Sequence, residues 1–211
     1  MARPVLFVLA GVNGAGKSSI GGHLLQRAGL TWFNPDTFAR ELVAATGCGQ
    51  EAANGLAWSE RVRRLDAAVG GKRTYAFETT LGGHTIAAKI REAARTHDVI
   101  VWFCGLTSPE QHIARVRALV TQGGHDIPEA KIRARFPRAH ANLIGLLTHC
   151  AHVRVYDNSV DVAVGEAVPD PSLVLEVIRG RVAWPRVDDR ATLARTPDWA
   201  KPLVEAALTE S

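Results

Sequence analysis

Cysteine is scarce in this 211-residue chain, which holds only Cys48, Cys104 and Cys150, far apart and with no C-x-x-C pair. An odd number at such spacing argues against a disulfide framework and against a zinc site. No apolar run is long enough to cross a bilayer. The apolar stretch after Met1-Ala2-Arg3-Pro4 is too short for a signal-peptide core followed by a cleavage site. A cytoplasmic protein with no membrane partner is therefore expected. Repeats and low-complexity segments are absent as well. Charge of one sign is modest: 25 Lys and Arg against 21 Asp and Glu leave a formal +4. That excess suits a polyanionic ligand. No aromatic–basic platform accompanies it, so nucleic acid is not expected as a partner.

What is present alternates. Val5–Ala10 (VLFVLA) reads as a strand buried on both faces, and glycines follow it. Lys17–Ala28 has helical spacing at Ile20, Leu24 and Leu25. Thr31–Asn34 reads as a second short strand that Pro35 ends, with Asp36 able to cap a helix to about Thr46. Gln50–Val69 reads as an amphipathic helix with Leu56, Val62, Leu65 and Val69 on its apolar side. Strands are expected at Arg73–Glu78, Val99–Cys104 and Val153–Tyr156. Helices are expected at His84–Thr96, at Pro109–Thr121 and from Pro128 to about Cys150 with a kink or break at Pro137. Leu173–Ala183 reads as a strand pair turning at Gly180, and Pro197–Leu208 as a closing helix. The pattern predicts one α/β domain over residues 1–211, with a central parallel sheet of about five strands, a helical lid at about 108–140 and a C-terminal extension from about 170.

Gly11-Val12-Asn13-Gly14-Ala15-Gly16-Lys17-Ser18 matches G-x-x-x-x-G-K-[ST] between a predicted strand and a predicted helix. Glycines let the backbone turn its N–H groups inward, and those groups with the helix N-terminus cradle phosphates. The expected ATP-binding set is Gly11, Asn13, Gly14, Ala15, Gly16, Lys17, Ser18 and Ser19. Lys17 serves the β- and γ-phosphates, and the Ser18 hydroxyl is a ligand for Mg²⁺.

A phosphate loop does not say what becomes of the nucleotide. N-K-x-D, expected where guanine is read, is missing. Val99–Cys104 ends in Gly105-Leu106, without the carboxylate of a hydrolytic ATPase. Carboxylates follow the second and third predicted strands instead, at Asp36 and Glu78. This arrangement suits phosphoryl transfer to a bound acceptor. Asp36 reads as a general base or a helix N-cap. Glu78 with Thr79 and Thr80 reads as an acceptor-binding segment or a strand-end turn. Arg115, Arg117, Arg133, Arg135 and Arg138 surround the Gly123-Gly124-His125-Asp126 turn; Arg115 and Arg135 are the candidates for neutralising the transferred phosphoryl group. Asn158, in Tyr156-Asp157-Asn158-Ser159, is a candidate for reading the nucleotide base.

Taken in order, GVNGAGKSS (11–19), NPDTF (34–38), FETTL (77–81), GGHDIP (123–128) and YDNS (156–159) resemble the zeta-toxin-like P-loop kinases, in particular their short bacterial branch. The resemblance covers roughly residues 3–160. It implies a P-loop kinase-like three-layer fold, ATP with Mg²⁺, and transfer of the γ-phosphate to a small-molecule hydroxyl. Characterised zeta toxins phosphorylate UDP-N-acetylglucosamine, and an antitoxin protein is the implied partner. Asp36 matches the family's catalytic base, Lys17 its phosphate-loop lysine, and Arg115 and Arg135 fall in its lid. Gly82-Gly83-His84 stands where better-studied members carry a basic residue, and Leu119 where the short branch often has a second arginine. An ATP-binding or ATP-hydrolysing regulator, and a kinase acting on a nucleoside, a dinucleotide or an RNA end, are the alternatives.

Overall fold

A computed structural model describes residues 2–18, 21, 29–124, 126–161 and 169–209. Six strands form one sheet in the order β2-β1-β3-β4-β5-β6. β1 (Val5–Ala10) lies between β2 (Tyr75–Thr79) and β3 (Asp98–Gly105), and β4 (His152–Asp157) follows β3; these pairs are all parallel. Leu9 is level with Glu78, and Ala10 with Thr79 and Phe103. The carboxyl ends of four strands therefore reach one edge, where an α/β sheet binds its ligand.

The pleat explains the burial. Leu6, Val8 and Ala10 face the main core with Phe77, Val101, Phe103 and Val155. Phe7 and Leu9 face the other side, among Ala76, Leu30, Trp32 and Trp102. Helix α3 (His84–Ala93) brings Ile86 and Ile90 to the main core. The main core also takes α4 (Pro109–Thr121) through Ile113 and Val116, and α5 (Glu129–Ile144) through Ile132, Ala139 and Leu143.

Thr31–Asn34 is not a strand. It touches the sheet through a single bridge from Phe33 to Phe77, closed by Phe33 N–H to the Ala76 carbonyl and Glu78 N–H to the Phe33 carbonyl, both 2.9 Å. Pro35 lacks the next donor, and Asn34 turns away to begin helix α1 (Pro35–Thr46). The expected fifth parallel strand is thus reduced to one contact. The tail enlarges the sheet instead. β5 (Ser172–Ile178) pairs antiparallel with β4, and β6 (Arg181–Trp184) with β5, through a turn with positive φ at Arg179 and Gly180.

Two helices differ from expectation. Leu56 is 53% exposed on α2 (Gln50–Gly70), whose buried side is Ala53, Ala57, Leu65 and Ala68. Ala53 and Ala57 meet Ala39 of α1, and the close approach of two helices selects small side chains there. α5 continues as one helix through Pro137, with core contacts at Ile132 before it and at Ala139 and Leu143 after it. It ends at Ile144 rather than near Cys150. The chain closes with α6 (Arg190–Ala194), a short 3₁₀ turn (Asp198–Ala200) and α7 (Lys201–Thr209). The helical spacing at Ile20, Leu24 and Leu25 lies outside the described residues.

Candidate functional site

Gly11, Gly14 and Gly16 have φ of 140°, 81° and 83°, so the loop after β1 takes a path that favours glycine. Each approach is also close. A Cβ on Gly11 would lie 2.3 Å from the Cys104 carbonyl oxygen, and one on Gly16 would lie 2.5 Å from Asn158 Nδ2. The loop is tied from several elements. Ala15 N–H bonds the Val12 carbonyl at 3.1 Å, and Lys17 Nζ reaches the same oxygen at 3.5 Å. Asn158 Nδ2 donates to the Ala15 carbonyl at 3.0 Å. Asn158 therefore buttresses the loop, which is a different duty from the base reading expected of it. Lys17 and Ser18 already carry helical backbone. Ser19 lies outside the described residues, as does His125.

His112 on α4 is buried and gives its Nδ1 hydrogen to the Asn13 carbonyl at 2.8 Å. Burial pushes this imidazole down from 6.5 to about 4, so it is neutral in the folded protein. An unfolded chain takes up the proton first as pH falls. The contribution of His112 to stability is then complete above about pH 6.5 and is lost progressively toward pH 4. His140, also lowered by burial, adds in the same direction. The thermal midpoint is expected to drop across that window, and His112→Gln should reduce the drop; an unchanged pH profile in the variant would contradict the assignment. Cys104 behind the loop is a core thiol, pushed up to about 12 by burial.

Asp36 does not cap its helix. Asn34 does: its Oδ1 accepts from Asp36 N–H at 2.9 Å and Thr37 N–H at 3.1 Å, with Pro35 at the first helical position. The Asp36 side chain is left to line a cavity of about 190 Å³. Lys17, Glu78, Thr79, Thr80, Lys131 and Arg135 share that lining. Glu78 is only 4% exposed. It accepts from Ser18 Oγ at 3.1 and 3.2 Å and from Asn34 Nδ2. Thr79 Oγ1 accepts from Leu81 N–H at 3.0 Å, and Thr80 Oγ1 from Gly82 N–H at 3.5 Å, so both hydroxyls also shape the turn.

The arginines separate. Arg135 enters the site: its Nη1 donates to Asn13 Oδ1 at 2.7 Å, and its stem crosses Gly82, where a Cβ would lie 2.6 Å from Arg135 Cγ. Burial lowers its guanidinium and Asp36 opposes the shift. Arg115 stands on the rim of the wider cleft around the loop, paired with Asp161 at 2.8 Å and bonded to the Val160 carbonyl at 3.0 Å. Arg117 pairs with Glu129 and Arg133 with Glu110, both exposed, which ties α4 to α5 away from the site.

Sequence reasoning missed Arg61. It projects from α2 into the cavity beside Asp36, and its buried Nε has no hydrogen-bond partner among the described residues. Burial lowers it to about 10, against the pull of Asp36. Trp58, on the same helix and 46% exposed, lines the same cavity. No motif marks either residue. Asn34 was missed as the cap, although asparagine directly before a helix-starting proline is a capping signal.

The model of a family described as AAA domain matches residues 6–139. No curated protein matches the chain. Among solved structures, that of AvrRxo1-ORF1:-ORF2 with ATP superposes with a TM-score of 0.64 at 16% identity, over 100% of this chain and 77% of that one. The PezAT chromosomal toxin–antitoxin system of Streptococcus pneumoniae gives 0.52 at 14% identity, over 74% and 68%. The Pnkp1/Rnl/Hen1 RNA repair complex gives 0.52 at 17%, over 68% and 46%. At these identities the likeness is one of fold, an α/β P-loop kinase-like fold with a mixed six-stranded sheet. No described helix is long and apolar enough to cross a membrane.

Proposed function

Since the chain belongs to the AAA domain family, whose model spans more than half of it, we propose that it is an ATP-dependent kinase that moves the γ-phosphate to a hydroxyl of a small molecule. One observation carries this reading. Asn34 takes over the helix cap, so the Asp36 carboxylate has no hydrogen-bonding duty among the described residues, in a cavity that Lys17 of the phosphate loop also lines. In the proposed step the acceptor hydroxyl gives its proton to Asp36, and its oxygen attacks the γ-phosphorus. The bond from that phosphorus to the β–γ bridging oxygen breaks, and ADP leaves. Lys17 and Arg135 face the charge that spreads over the phosphoryl oxygens. Arg115 borders the nucleotide side, held by Asp161.

Mg²⁺ belongs to this proposal. Ser18 offers a hydroxyl oxygen against a buried carboxylate, which is donor chemistry for a hard cation. When bound, the ion neutralises phosphate charge.

The missing basic residue after Leu81 favours a regulator that only hydrolyses ATP. The packing supports the kinase reading instead. The Arg135 stem fills the space where a side chain at Gly82 would stand, so α5 brings a cation beside the acceptor turn. UDP-N-acetylglucosamine is the first acceptor to try, on the zeta-toxin resemblance. A cavity of about 190 Å³, lined in part by Trp58, has room for a sugar-sized group. An antitoxin that covers this cleft is part of the same reading. The test is ADP release with and without nucleotide sugars, nucleosides and dinucleotides. Acceptor-dependent turnover is expected; equal rates with and without every acceptor would overturn the kinase assignment.

Arg61, which lines the cavity beside Asp36, should bind the acceptor through its guanidinium. Losing a charged hydrogen bond of about 1.5–3 kcal/mol predicts that Arg61→Gln raises the acceptor KM roughly tenfold or more. The KM for ATP should stay unchanged. Steady-state kinetics with each substrate varied in turn would decide it, and an equal rise in both constants would remove the role.

A further inference from the structure

Resting on the ATP-binding reading above, we infer that Glu78 is the acidic partner of the Mg²⁺ held by Ser18, rather than a residue for the acceptor. The carboxylate is nearly sealed from solvent at 4% exposure, yet no ion pair to it occurs among the described residues. Its partners are neutral: Ser18 Oγ at 3.1 and 3.2 Å, and the Asn34 side-chain amide. A buried carboxylate without a cation is costly, and neutral donors offset only part of that cost. The unmet charge lies against the one hydroxyl that a phosphate loop offers to a metal.

The strand arrangement explains why the acid comes from β2. β3 ends in Cys104 and Gly105 and carries no carboxylate at its tip. β2 lies on the other side of β1, and its register sets Glu78 level with Leu9, just before the loop begins. The acid thus reaches the Ser18 side of the loop from the opposite neighbour. No three His, Cys, Asp or Glu side chains gather among the described residues. Mg²⁺ needs no such cluster, since it retains waters and takes one or two carboxylates together with nucleotide phosphates.

Asn34 completes the arrangement. Its Oδ1 accepts the two backbone N–H groups at the start of α1, so its amide nitrogen is the atom left to face Glu78 and, at 3.4 Å, Ser18 Oγ. One side chain therefore orients the metal-side carboxylate and fixes the helix that carries Asp36. That couples the cation's position to the base two residues along.

The test is calorimetric ATP binding by wild type and Glu78→Gln, in EDTA and in Mg²⁺. Wild type should bind ATP in EDTA and bind it more tightly with Mg²⁺. The variant should match wild type in EDTA but lose about tenfold or more of the Mg²⁺-dependent gain. Glu78→Asp, which keeps the charge, should retain part of it. Nucleotide-free Glu78→Gln should melt no lower than wild type, because a buried charge has been removed. An equal Mg²⁺ gain in wild type and Glu78→Gln would overturn the inference. Failure of wild type to bind ATP under either condition would instead overturn the phosphate-loop reading on which it rests.

Discussion

Asp36→Asn is expected to lower phosphate transfer by about 10²–10⁴-fold, the range for loss of a general base, and to leave ATP binding unchanged. The substitution is nearly isosteric. It removes the proton acceptor while Asn34 keeps both N-terminal backbone bonds of α1, so the helix start should not change. The charges around Asp36 sharpen the expectation. Arg61 and Arg135 are both half-buried cations that interact with it. Removing the anion leaves them with less compensation, so a modest fall in thermal midpoint should accompany the loss of activity. Single-turnover transfer measured beside calorimetric ATP binding separates the two effects. Transfer at the wild-type rate would exclude Asp36 as the base. Loss of ATP binding would mean that the residue holds the nucleotide.

Gly11→Ala should be the most damaging single change in the phosphate loop. A side chain there meets the Cys104 main-chain oxygen at 2.3 Å, and φ is 140°. Neither problem relaxes locally, because the obstructing atom is backbone of β3, paired with β1 on one side and β4 on the other. Strain and overpacking together predict a cost of roughly 3 kcal/mol or more, with ATP binding lost. Gly47→Ala is the matched control: its φ is 70° but nothing lies within 4 Å of the added atom, so it should cost only about 1 kcal/mol. Chemical denaturation of the two variants compares them directly. Equal costs would show that the contact with Cys104 is unimportant.

The parts legible in the sequence were those where local physics leaves few choices. VLFVLA followed by three spaced glycines can be little else than a buried strand running into a phosphate loop, and the structure has that strand and the glycine-favouring backbone. Thr31–Asn34 was misread because its aromatic composition favours a strand. Pro35 and the capping Asn34 outweighed it. On α2 the expected face holds at Leu65, Val62 and Val69 and fails at Leu56: hydrophobicity points to Leu56, but helix–helix distance selects alanine there. Arg61 could not be read at all. Its place beside Asp36 is set by the α1–α2 packing, and nothing local distinguishes it from the neighbouring Arg63 and Arg64, which pair with Glu60. Glu78 was found as a candidate, but its contact with Ser18 depends on strand register and could not be read from the sequence.

The central claim is transfer from ATP on the phosphate loop to a hydroxyl beside Asp36. Its most direct test is mass spectrometry of small molecules after incubation with the protein and ATP labelled with ¹⁸O in the γ-phosphate. One acceptor should gain one labelled phosphate, and Asp36→Asn should prevent the gain. Label recovered only as inorganic phosphate, with every candidate acceptor unchanged, would contradict it.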